Sequence, residues 1–214
     1  MDSRALAPYE RSLEIGTPLQ LSHGDGRTIT LDVPRWLAAA DRVDLEVVSR
    51  AESPALDVGC GPGRIVAALT EHGRLALGID IAERAVAITR QRGMNALRHD
   101  VFDPLPGEGR WATVLLLDGN IGIGGDVDAL LARLAGVLAP DGRLLVEVDP
   151  DDTVDESSVV RFAVRGEPLG PPFRWCFVGL NALRSTAERR GLSVLDAWCS
   201  GGRHFAELGT GSSP

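Results

Sequence analysis

The stretch Ala55-Leu-Asp-Val-Gly-Cys-Gly-Pro-Gly-Arg64 sets glycine at every second position directly after a short apolar run. A buried strand that ends in alternating glycines turns sharply and leaves its backbone bare of side chains. Downstream, short apolar runs alternate with amphipathic ones. Strands are expected at Ala55–Gly59, Leu75–Asp80, Ala96–Asp100, Thr113–Leu117 and Arg143–Val148, and helices at Gly63–His72, Glu83–Arg92 and Val127–Leu138. Nearly continuous apolar strands separated by helices define a doubly wound α/β sheet covered on both faces. In such sheets ligands bind beyond the carboxyl ends of the strands, where the glycine run lies.

A dinucleotide fingerprint requires G-x-G-x-x-G. Counting from Gly59 the third position is Arg64, and counting from Gly61 it is Val66. Neither register completes the pattern, which counts against NAD.

Asp57-x-Gly59-x-Gly61-x-Gly63 instead resembles the first motif of the class I S-adenosylmethionine-dependent methyltransferases. The resemblance continues through Asp80 at the end of the second strand, His99-Asp100-Val101 after the third, Leu117-Asp-Gly-Asn120 after the fourth, and the Ala139-Pro-Asp-Gly turn before the fifth. It spans about residues 54–149. It implies a Rossmann-like, mostly parallel seven-stranded sheet that binds S-adenosyl-L-methionine. By the same resemblance Asp57, Gly59, Cys60, Gly61 and Gly63 meet its amino-acid end, and Asp80 with Ile81 its ribose. Asp100 and Val101 meet the adenine, while Asp118 and Asn120 lie by the methyl group. A carboxylate suits two vicinal hydroxyls because it has two acceptor oxygens.

The flanks differ from this core. Pro18–His23 and Arg27–Leu31 bracket Gly24-Asp-Gly26 as a hairpin, and Asp32–Ser49 reads as one helix with Pro34 in its first turn. After the acidic loop Asp149–Glu156, Val159–Arg165 and Phe173–Val178 read as strands joined across Gly166–Pro172. A helix at Asn181–Arg190 leads to Leu192–Trp198 and His204–Leu208, an antiparallel edge hairpin around Gly201-Gly202. The organisation expected is a hairpin and helix over residues 1–53 that cover the active site, then a cofactor-binding domain over 54–208. An insertion at 159–178 would serve as substrate cover and 209–214 as a flexible tail.

Substrate candidates on this cover are Arg161, Arg174 and Trp175, since arginines clamp anions and tryptophan stacks on rings. His23 and His204 are the candidate bases. All 22 basic residues are arginine, which excludes Schiff-base and lysine-base chemistry. The net charge of −8 and the absence of a basic run disfavour nucleic acid and anionic membranes as partners. Cys60, Cys176 and Cys199 lack paired spacing, no metal is expected, and a reducing cytoplasm fits. The function expected is methyl transfer to oxygen or nitrogen of a small molecule by a monomer or homodimer. A binding protein without transfer activity is the alternative.

Overall fold

The computed structural model describes residues 3–210. Seven strands form the central sheet: β3 (Ala55–Val58), β4 (Ala76–Asp80), β5 (Ala96–Arg98), β6 (Trp111–Leu116), β7 (Leu138–Val148), β10 (Leu192–Ser200) and β11 (Arg203–Thr210). Their order is β10-β11-β7-β6-β3-β4-β5. β3 pairs in parallel with both β4 and β6, so the winding direction reverses at β3 and β6. β11 runs antiparallel between β7 and β10.

Alternation along the strands sorts the core into two layers. Leu56, Val114, Leu144 and Val146 face helices α6 (Val127–Val137) and α7 (Leu180–Arg189), which answer with Leu130, Leu134 and Leu183. Ala55, Leu115, Leu145 and Phe205 face α3 (Arg42–Arg50) and α4 (Arg64–Glu71) through Val47, Val48, Val66 and Leu69. Helix α5 (Glu83–Gln91) follows β4 and adds Val86 to this second layer.

The two segments expected as separate covers share a second sheet. β1 (Leu19–His23) and β2 (Thr28–Leu31) join β8 (Asp155–Val164) and β9 (Glu167–Val178) in the antiparallel order β2-β1-β8-β9. A third apolar cluster, including Leu19, Leu21, Val160, Phe162 and Phe173, ties this sheet to α1 (Ser3–Ile15) and to Ala82 and Ala85.

Three expectations change. The helix expected over Asp32–Ser49 is two, α2 (Val33–Leu37) and α3, because Asp41 restarts it with a capping box. Asp41 accepts from the Asp44 amide at 2.9 Å and Asp44 accepts from the Asp41 amide at 3.0 Å. Gly166–Pro172 is mostly strand rather than linker, since the chain reverses at Arg165 and Gly166, both at positive φ. Its prolines are tolerated because β9 is an edge strand. Gly209 and Thr210 belong to β11, and the rest of the expected tail lies outside the described residues.

Candidate functional site

A cavity of roughly 770 Å³ opens between the two sheets, at the carboxyl ends of β3, β4 and β6. Its floor is the glycine turn. Gly59, Gly61 and Gly63 take φ of 72°, 53° and 82°, conformations that favour glycine. The three omitted side chains make room for different things. A Cβ on Gly59 would stand 2.6 Å from the Asn120 amide, whose Nδ2 donates to the carbonyls of Val58 (2.9 Å) and Gly59 (3.0 Å). A Cβ on Gly63 would strike Thr89 at 2.5 Å. Gly59 and Gly61 both line the cavity, and a Cβ on Gly61 would stand 3.2 Å from the Tyr9 hydroxyl. Cys60 also lines the cavity, and its sulfur fills the space that a side chain on Gly78 would need.

Asp57, Asp80 and Asp100 all line this cavity, as do Ile81, Val101, Asp118 and Asn120. Gly63 does not line it and serves the turn. Asp80 is buried, accepting from the amides of Gly61 (2.9 Å) and Ala82 (2.8 Å). Burial pushes its carboxyl up to about 6, with those amides pulling the other way. Asp100 accepts from the Phe102 amide at 3.0 Å, which folds the turn after β5.

Asp57 is 2% exposed, and its Oδ2 has no hydrogen-bond partner. Burial, aided by Asp118 and opposed by Arg64, pushes this carboxyl up to about 7. A buried carboxylate oxygen facing a cavity without a partner is a site for a cationic group. The folded chain holds the Asp57 proton more tightly than the unfolded chain does. This contribution to stability is therefore complete below about pH 4 and lost as pH rises to about 7. Wild type should lose about 2 kcal/mol more between pH 5 and pH 7 than Asp57→Asn does. Chemical denaturation at the two pH values measures the difference, and equal losses would refute the assignment.

Beside Asp57 lies a charge network that the sequence did not announce. Asp44, fully buried on α3, contacts Arg64 at the start of α4 and Arg203 (2.7 Å) on β11. Asp118 takes Arg64 (2.5 Å) and Arg35 (2.9 Å), and Arg203 also grips Glu147 through Nε (2.7 Å) and Nη2 (2.6 Å). Glu147 in turn accepts from the Asp118 amide at 2.6 Å. These bonds hold Asp118 at φ 56°, outside the usual range for a residue with a side chain. Among the described residues no group of histidine, cysteine and acidic side chains is arranged to hold a metal ion.

The other candidates separate. Trp175 lines the cavity, its ring lying against Gly122. Arg174 reaches the cavity rim, but strand alternation sends its side chain to the opposite face of β9, toward Gly125 and Ser157. Arg161 is exposed, donates to the Gly170 carbonyl at 3.0 Å and does not line the cavity. His23 does not line it either. It is a paired β1 residue, buried against Phe177 at 5.0 Å and near Glu156 at 3.4 Å, so it cannot swing as a turn residue would. His204 pairs with Val148 and Cys199 within the central sheet, also off the cavity. Tyr9, Trp36 and Arg35 line the cavity and were missed. Their only sequence signal is position, on the helices before the glycine turn.

This fold and this turn define a Rossmann-like methyltransferase architecture. Residues 55–142 match the family described as "Methyltransferase domain". The match covers the residues that hold the glycine turn and the acids at the ends of β3, β4 and β5. It is 32% identical over 116 residues to dTDP-3-amino-3,6-dideoxy-alpha-D-glucopyranose N,N-dimethyltransferase of Streptomyces fradiae, covering 50% of this chain and 45% of that one. It is 32% identical over 80 residues to a tabtoxin biosynthesis enzyme of Pseudomonas amygdali pv. tabaci, covering 36% and 32%. The matches thus span less than half the length of these curated relatives. A Bacteroides fragilis SAM-dependent methyltransferase, crystallised with S-adenosyl-L-homocysteine, shares the fold with a TM-score of 0.76 at 20% identity, covering 97% and 94%.

Proposed function

We propose that the protein transfers a methyl group from S-adenosylmethionine to a small molecule held between the two sheets. One observation carries this reading: a single cavity runs from the glycine turn, past Asp80 and Asp100, to the underside of the four-stranded sheet. The residues present fit the cofactor. Asp57 offers a buried, unpartnered oxygen to a cationic amino-acid end, and Gly59, Gly61 and Asn120 shape the backbone there. Asp80, already fixed by two backbone amides, is the acceptor for the ribose hydroxyls. Ile81 lies beside Asp80 for the ribose, Val101 flanks the adenine, and Asp100 accepts from its amine.

S-adenosylmethionine, when bound, supplies a methyl group on a positively charged sulfur. The chain's own work is to position the acceptor and exclude water. The four-stranded sheet and α1 close over the site with Tyr9, Phe162 and Trp175. The space beneath that sheet favours an enzyme over a protein that only binds the cofactor. The relatives' roles in aminosugar methylation and tabtoxin biosynthesis support a small acceptor. The acidic charge supports a chain that leaves nucleic acid alone. Among the described residues no helix is long and apolar enough to cross a membrane. We place the protein in the cytoplasm as a monomer or homodimer.

The test is to incubate the protein with methyl-labelled S-adenosylmethionine and a cell extract. Label should move into the small-molecule fraction. Label confined to protein or nucleic acid, or no transfer, would overturn the reading.

A further inference from the structure

The acceptor half of the cavity has a chemistry of its own, and the argument about it rests on the methyltransferase reading above. Phe173, Trp175 and Phe177 alternate along one face of β9, and Phe162 stands 5.0 Å from Phe173 across the sheet. Two of the three arginines that line the cavity are committed elsewhere. Arg35 binds Asp41, Asp44 and Asp118, and Arg64 binds Asp44 and Asp118. Arg174 leaves β9 on the face away from the rings. An anionic acceptor seated against the rings would therefore be desolvated with no cation beside it, since Arg174 serves the rim alone.

Negative charge is differently placed. Both oxygens of Glu147 are held by Arg203, with the Asp118 amide on one of them. Asp149, two residues further on, lines the same cavity, and among the described residues no arginine pairs with it. Its amide donates to the Val178 carbonyl at 2.8 Å, which seats it beside the end of β9 and its row of rings. Its Oδ1 accepts only the Asp151 amide, at 2.9 Å. A carboxylate and aromatic rings that line one cavity can together recognise an ammonium ion, one by charge and the other by the ring quadrupole.

We propose that the acceptor is a small amine that enters as its ammonium form, with Asp149 as its carboxylate partner and the Phe173–Phe177 rings as its wall. Before transfer the ammonium gives one proton through Asp149 to solvent. The freed nitrogen lone pair bonds the methyl carbon as the carbon–sulfur bond breaks and leaves its electrons on sulfur. This makes the enzyme an N-methyltransferase and Asp149 a residue that determines specificity.

The test uses protein saturated with S-adenosylhomocysteine and three probes of one shape: 2-phenylethylamine, 2-phenylethanol and phenylacetate. Calorimetry should show the amine binding at least tenfold tighter than the other two. In Asp149→Asn that preference should vanish while S-adenosylhomocysteine affinity stays within twofold. The proposal is overturned if the alcohol or the acid binds as tightly, if no amine binding is detected, or if the preference survives in Asp149→Asn. Failure to bind S-adenosylhomocysteine is a distinct outcome, since it removes the methyltransferase reading and the amine proposal with it.

Discussion

Replacing Asp44 by alanine should destabilise the protein by about 3–5 kcal/mol, the usual penalty for stranding a buried charge. Asp44 is fully buried, and it is the acid that Arg64, 3% exposed, shares with Arg203. Its loss leaves three guanidinium groups, those of Arg35, Arg64 and Arg203, short of a counter-charge and opens half of the capping box that starts α3. For a chain of this size the melting temperature should fall by roughly 10 °C. Burial raises the Asp44 carboxyl, but Arg64 and the other donors outweigh it and bring it down to about 2. A lowered pKa contributes stability that is complete above about pH 4 and lost as pH falls toward 2. The gap between wild type and Asp44→Ala should therefore narrow in acid. Arg35→Ala is the contrast: that side chain is 26% exposed at the rim of the same network and should cost about 1 kcal/mol or less. Equal melting temperatures for wild type and Asp44→Ala at pH 7 would show that the network does not hold α3 to the sheet.

The second large effect is on binding. Asp80→Ala should weaken S-adenosylhomocysteine binding by at least about 100-fold, roughly 2.7 kcal/mol. Two losses combine in that figure. The ribose hydroxyls lose their charged acceptor, and the Gly61 amide, 2.9 Å from Asp80, loses the group that orients the turn. Hydrogen bonds to charged groups contribute about 1.5–3 kcal/mol each. Asp80→Asn keeps the shape and one acceptor oxygen, and should fall between the two. An unchanged dissociation constant in Asp80→Ala would detach Asp80 from the cofactor.

The parallel sheet was legible because its strands are continuous and apolar, and the helices after β3 and β4 stop at Gly73 and Gly93. The same pattern located the glycine turn and the acids at the ends of β3, β4 and β5. Helix α1 was not legible: Pro8 lies inside it, and proline in a helix interior argues against the helix. With α1 went Tyr9, whose hydroxyl stands over Gly61. The shared four-stranded sheet was also hidden. Its register, Leu21 opposite both Ile29 and Phe162, joins segments more than 130 residues apart. The network of Arg35, Asp44, Arg64, Asp118, Glu147 and Arg203 was hidden for a similar reason. Each charge alone reads as a solvated surface residue, and only the fold brings the six together. His23 misled in the opposite sense, since its position next to a Gly-Asp-Gly turn suggested mobility while backbone pairing with Val160 fixes it in a sheet.

The Gly59–Gly63 turn and Asp80 should bind an adenosylmethionine-type cofactor and not a dinucleotide. Isothermal titration of the protein with S-adenosylhomocysteine and, separately, with NAD tests it most directly. One molecule of S-adenosylhomocysteine should bind per chain with micromolar or tighter affinity, weakened at least about 100-fold in Asp80→Ala, and NAD should give no heat. Tight NAD binding with no S-adenosylhomocysteine binding would contradict it.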